Sequence, residues 1–88
     1  MKRSRIQDGV TVEWGKGDRA FVLLDRTGEA FLSNATAGFI LARLREGLSD
    51  AQVEARLAAA FDVARARAKI DVAAFLGVLR ERGVLDGA

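Results

Sequence analysis

At Asn34 the spacing of apolar residues in this chain changes from a period of two to a helical period, and that switch decides what the chain can fold into. Upstream, Val10-Thr11-Val12-Glu13-Trp14 alternates and is rich in β-branched and aromatic residues, as a half-buried strand requires. Ala20–Asp25 and Glu29–Ser33 read as a second and a third strand. Gly15-Lys16-Gly17-Asp18 supplies a short loop and Arg26-Thr27-Gly28 a turn, with Asp25 able to bond the backbone ahead of it. Two short turns in succession imply an antiparallel three-stranded meander.

Downstream, Asn34 is a good N-cap, because its side-chain oxygen can accept from an amide that the first helical turn leaves unpaired. Phe39, Ile40, Leu41 and Leu44 then form an apolar stripe, and Gly47 stops the helix. Ser49-Asp50-Ala51-Gln52 spells a capping box, followed at helical spacing by Val53, Leu57, Ala60 and Phe61. Asp62-Val63-Ala64 breaks the pattern. A third helix begins near Ala66 to Ala68 and runs to about Arg82, with Val72, Phe75, Leu76 and Leu79 on one face. Gly83 ends it, and Val84-Leu85 can fold back on the core. Three strands cannot cover both of their faces, so the helices must pack on one of them. The expected fold class is α+β and winged-helix-like: a three-stranded antiparallel sheet followed by three helices. Residues 10–86 form this single domain, and residues 1–9 a flexible basic N-terminus, since termini tend to be disordered.

A chain of 88 residues suits one domain and leaves no spare volume for a deep enclosed active site. It has no cysteine and no histidine, so disulfides, thiolate nucleophiles and the commonest general base and metal ligand are absent together. The hydroxyls Ser4, Ser33, Ser49, Thr11, Thr27 and Thr36 have no histidine to activate them, and Ser49 is needed for capping. The carboxylates Asp25, Glu29, Asp62 and Asp71 have simpler roles, in a turn, on a strand surface, or near a helix start where negative charge is favoured. The chain reads as a binding module and not an enzyme, with no cofactor and no metal. No apolar run approaches the roughly 18 residues of a bilayer span, and the basic start leads into Ile6-Gln7-Asp8-Gly9 and not an apolar signal core. No membrane association and a cytoplasmic location are expected. The formal charge is +2, but Lys2, Arg3 and Arg5 sit in the first five residues, leaving eleven positive against twelve negative charges in the rest of the chain. A nucleic-acid partner is therefore not expected, because binders concentrate positive charge on the folded face.

From Phe21 to Leu85 the chain resembles the pyrroloquinoline-quinone biosynthesis protein D family and its relatives, the recognition elements for ribosomally made precursor peptides. The matching pieces are Val22-Leu23-Leu24-Asp25, Thr27-Gly28, Asn34-Ala35-Thr36-Ala37 with Ile40 and Leu44, Gly47-Leu48-Ser49, Leu57, Phe61-Asp62-Val63, Asp71-Val72 with Phe75-Leu76 and Leu79, and Gly83-Val84-Leu85. The Asp25-Arg26-Thr27-Gly28 turn and the free-standing length look most like the discrete leader-binding proteins of lasso-peptide clusters. One departure stands out: the family usually has Leu directly before the Asn, where this chain has Ser33 after Leu32.

The resemblance implies that a leader peptide adds as a further strand to the edge of the third strand and lies between it and the third helix. Backbone bonds then give affinity and side-chain pockets give specificity. The implied partners are the leader peptide, a leader peptidase and a cyclase or other maturation enzyme. The peptide-binding candidates are Ala30, Phe31, Leu32 and Ser33 on the strand, and Ala68, Asp71, Val72, Phe75, Leu76 and Leu79 on the helix, where Ala74 and Val78 widen the apolar surface. Alternation puts Phe31 and Leu32 on opposite faces, so at least one of them is ordinary core, as is about half of the helical stripe. Two other readings stay open: a peptide chaperone for a radical-enzyme modification system, and a winged-helix DNA-binding protein, for which Lys69, Arg80 and Arg82 are thin provision.

Overall fold

The structure is a computed structural model that describes residues 3–86. Strands β1 (Val10–Trp14), β2 (Ala20–Leu24) and β3 (Ala30–Leu32) form one antiparallel sheet in that order, and α1 (Ala35–Arg45), α2 (Asp50–Phe61) and α3 (Arg65–Glu81) follow. The expected element order and the α+β class are borne out; "winged-helix" is only a loose description of it. Val12 lies opposite Val22, and Val22 opposite Phe31. Opposed residues share a face, so all three turn toward the helices. Ala20, Val22 and Leu24 are buried there, while Phe21 and Leu32, opposite one another, stay exposed on the outer face. Ile40 and Leu41 of α1, Val53 and Leu57 of α2, four residues of α3, and Val84 and Leu85 complete one apolar core.

The helix starts are set by local chemistry. Asn34 Oδ1 accepts from the Ala37 N–H at 2.8 Å, and Ser49 with Gln52 makes the reciprocal capping box, Ser49 being fully buried. Asp62 differs from the expectation of a helix-start charge. It closes α2 in the left-handed conformation (φ 52°), and α3 begins after Ala64 without a side-chain cap. In the β2–β3 turn the side chain that bonds the backbone is Thr27, which accepts from the Glu29 N–H; the Asp25 carboxylate instead receives the Thr11 hydroxyl at 3.4 Å.

The described part of the N-terminal segment runs beside the end of the chain's fold and bonds to it. Ile6 bridges Leu85, Gln7 N–H donates to the Val84 carbonyl at 2.8 Å, and Asp86 N–H donates to the Arg5 carbonyl at 2.9 Å. Asp50 accepts from the Ser4 N–H and hydroxyl, and Arg80 donates to the same hydroxyl. The physical reason is Val84-Leu85: a returning apolar segment with free backbone groups gives the first residues something to pair with. Met1 and Lys2 lie outside the described residues.

Candidate functional site

β3 is an edge strand, and its ladder bonds fix which groups it leaves open. Leu24 N–H donates to the Glu29 carbonyl and Ser33 N–H to the Ala20 carbonyl, at 2.8 and 2.7 Å. Hydrogen-bonded pairs alternate along an antiparallel ladder, so Phe31 with Val22 is the next bonded pair, while Ala30 with Leu23 and Leu32 with Phe21 are not. The N–H and C=O groups of Ala30 and Leu32 therefore point away from β2, toward the open edge. Ser33 is committed to β2 twice, since its hydroxyl also accepts from the Ala20 N–H at 3.0 Å. This accounts for a serine where the family pattern has leucine: on the inner face at the end of the ladder, the hydroxyl closes the last strand bond.

Beside this edge runs a cleft between β3, the start of α1, and α3. One part, about 300 Å³, is lined by Phe31, Leu32, Ser33, Asn34, Ala37, Phe75, Val78 and Arg82. A second, about 270 Å³, shares Asn34, Ala37, Phe75 and Val78 and continues to Thr36, Ile40, Asp71 and Ala74. The floor is apolar, with Phe75 half-buried and Val78 44% exposed. Polar groups mark the ends. Asp71 receives both of its short bonds from Arg67 Nε, at 3.0 and 3.2 Å, and the Arg82 guanidinium sits 5.2 Å from the Phe31 ring centre.

Of the residues singled out in the sequence, Phe31, Leu32, Ser33, Asp71 and Phe75 line this cleft, and Ala30 supplies open backbone next to it. Ala68, Val72, Leu76 and Leu79 do not. All four are at most 3% exposed, because the face of α3 that carries them packs into the common core. Asp71 is not an early-turn charge. It lies more than one turn beyond the start of α3, where the helix dipole has faded, and it is held by its i, i+4 partner. The sequence reading missed Asn34, Thr36, Ala37 and Ile40, the α1 wall, because their helix looked like a core element. Arg82, weighed there as thin provision for a nucleic acid, lines the cleft as well. The exposed residues of α3 are Arg65, Ala66, Arg67 and Lys69 near its start, then Ile70, Ala73, Ala74 and Val78, then Glu81, so beyond the first turns its outward face is apolar, a poor set for reading base edges. Among the described residues, no helix is long and apolar enough to cross a membrane.

This fold recurs in known proteins. Two solved structures match nearly the whole chain. "TbiB1 in Complex with the TbiA(beta) Leader Peptide" shares 26% identity over 96% of this chain and 96% of that one, with a TM-score of 0.89. "Lasso peptide synthetase B1 complexed with the leader peptide" shares 30% identity over 97% and 99%, with a TM-score of 0.85. No curated protein matches the sequence. The family model described as coenzyme PQQ synthesis protein D matches residues 20–85, from the start of β2 to the residue that bridges Ile6, and so takes in both walls of the cleft. The open-edged sheet, the α3 cleft and the matched span agree, and the chain belongs to the PqqD family.

Proposed function

We propose that this protein binds the leader region of a ribosomally synthesised precursor peptide as an additional strand on β3 and delivers it to maturation enzymes in lasso-peptide biosynthesis. The observation that carries this reading is the outward N–H and C=O groups of Ala30 and Leu32 beside an apolar cleft. An unpaired edge is a hazard unless it has a use, and strand addition supplies one. The two similar structures, each described as a leader-peptide complex, support the same assignment. The chain acts as a non-catalytic carrier in the cytoplasm, and its onward partners are a leader peptidase and a cyclase. Ala30, Phe31, Leu32, Ser33, Asp71 and Phe75, with the flanking Ala74 and Val78, are the contacting residues kept from the sequence reading, joined by Ala37 and Arg82.

The test is a titration of fluorescently labelled leader peptides, taken from short precursor reading frames beside the gene, followed by anisotropy and by amide shift mapping. Binding is expected between nanomolar and micromolar, about −8 to −12 kcal/mol. The shifts should concentrate at Ala30, Leu32, Phe75 and Val78. Saturable binding whose shifts lie elsewhere, or no binding by any such leader, overturns the proposal.

A further inference from the structure

We propose that Arg82 selects an acidic residue in the bound peptide, at the position that faces Phe31. The inference rests on the strand-addition reading above and adds a specificity determinant to it. A guest strand bonded to Ala30 and Leu32 turns inward the two residues that lie opposite Phe31 and Ser33, because side chains alternate and opposed residues share a face. Those two inward positions meet different chemistry. Next to Ser33 lies the apolar floor of Ala37, Phe75 and Val78. Next to Phe31 lies an aromatic ring with the Arg82 guanidinium 5.2 Å from its centre.

Among the described residues, Arg82 makes no ion pair and no side-chain hydrogen bond; Arg19, Arg26, Arg45 and Arg56 are likewise unpaired, but of these five only Arg82 lines the cleft. Arg82 also borders a second hollow of about 130 Å³ with Arg26 of the β2–β3 turn. Asp8 lines that hollow but pairs with neither arginine, and the Glu29 carboxylate receives the Thr27 hydroxyl. The end of α3 favours a cation through the helix dipole. The dipole does not account for a guanidinium laid against the Phe31 ring at the mouth of the cleft. A guanidinium on an aromatic face keeps its in-plane N–H groups free, and those groups match a carboxylate. At the far end of the cleft the Asp71 charge is already met by Arg67, so no opposite demand arises there. The guest pattern is then an acidic residue, an apolar residue two positions away over Phe75 and Val78, and a second apolar residue two further on, toward Ile40 and Ala74. A guest antiparallel to β3 reads apolar-x-apolar-x-acidic from its N-terminus.

The test is selection of a displayed library of random 12-residue peptides on the wild-type protein and on Arg82→Glu, with circular dichroism to establish that the variant is folded. The expected result is an acidic position at that spacing for the wild type and a basic one for the variant. A synthetic consensus peptide should lose on the order of tenfold in affinity for Arg82→Glu, and should regain it when its acid is changed to lysine. Apolar positions without an acidic one, or an acidic position unchanged by Arg82→Glu, overturn the role of Arg82 while leaving strand addition intact. Absence of any enriched peptide overturns the binding proposal itself, and this inference with it.

Discussion

A methyl group added at Gly38 would come within 1.6 Å of the Asp18 carbonyl oxygen and 3.3 Å of the Ala20 nitrogen, both backbone atoms that cannot swing aside. The loop after β1, with Gly17 and Asp18 at φ 62° and 64°, is thus pressed against α1, and the Trp14 indole N–H donates to the Gly38 carbonyl at 2.9 Å. Gly38→Ala is expected to lower stability by more than about 2 kcal/mol in urea unfolding, because overpacking here has no flexible side chain to absorb it. Gly77→Ala, with nothing within 4 Å, should instead raise stability by about 0.5–1 kcal/mol, as expected for alanine in a helix interior. Ala37 lines the cleft next to Gly38, so Trp14 fluorescence is an available reporter of peptide binding. In the cleft itself, Phe75→Asp should abolish leader binding in the anisotropy titration while circular dichroism shows the helices retained. Asp71→Ala should lower affinity by a few-fold; a folded Asp71→Ala protein that binds as tightly as wild type removes Asp71 from the site. Phe75 was legible in the sequence as an apolar helical residue. Arg82 was not, because its relevance comes from a ring fifty-one positions away in the chain.

At the scale of elements, β3 has two sides with different duties. The amides of Phe31 and Ser33 face β2, and those of Ala30 and Leu32 face outward. Proline at 32 removes an outward donor without removing a ladder bond, and edge strands tolerate proline on that side. Leu32→Pro should therefore keep the protein folded and weaken leader binding roughly three- to tenfold, the worth of one net hydrogen bond. Phe31→Pro should unfold the β2–β3 pairing instead. Equal effects of the two substitutions on folding, followed by circular dichroism and thermal melting, would contradict the assigned ladder phase. α3 is divided in the same manner: Ala68, Val72, Leu76 and Leu79 hold it to the core, while Asp71, Ala74, Phe75 and Val78 form the cleft wall. Its apolar periodicity was plain in the sequence, but a stripe wide enough to serve both surfaces does not say where one ends.

The whole molecule is closed by its two ends. Residues 5–7 pair with residues 84–86, and Ser4 bonds Asp50 of α2 and Arg80 of α3, so the N-terminal segment clasps the helical layer to the returning C-terminal segment. Deleting the first seven residues exposes the fully buried Val84 and Leu85 and strips several backbone bonds. A loss of about 2 kcal/mol or more is expected, seen as a fall in Tm of at least about 8 °C for a domain of this size. An unchanged Tm would mean that these contacts contribute nothing to the folded state.

The order of elements, the caps at Asn34 and Ser49, the antiparallel meander and the membership of the PqqD family were all present in the linear chain. Each of these is encoded within a few residues, as an alternation, a helical period or a cap at fixed spacing. The division of α3 between core and cleft, the outward phase of Ala30 and Leu32, the clasp of the N-terminus and the placing of Arg82 on Phe31 were decided only by the tertiary structure. Each depends on which distant segment packs against which face, and the periodicity of a single element is the same whichever neighbour it meets.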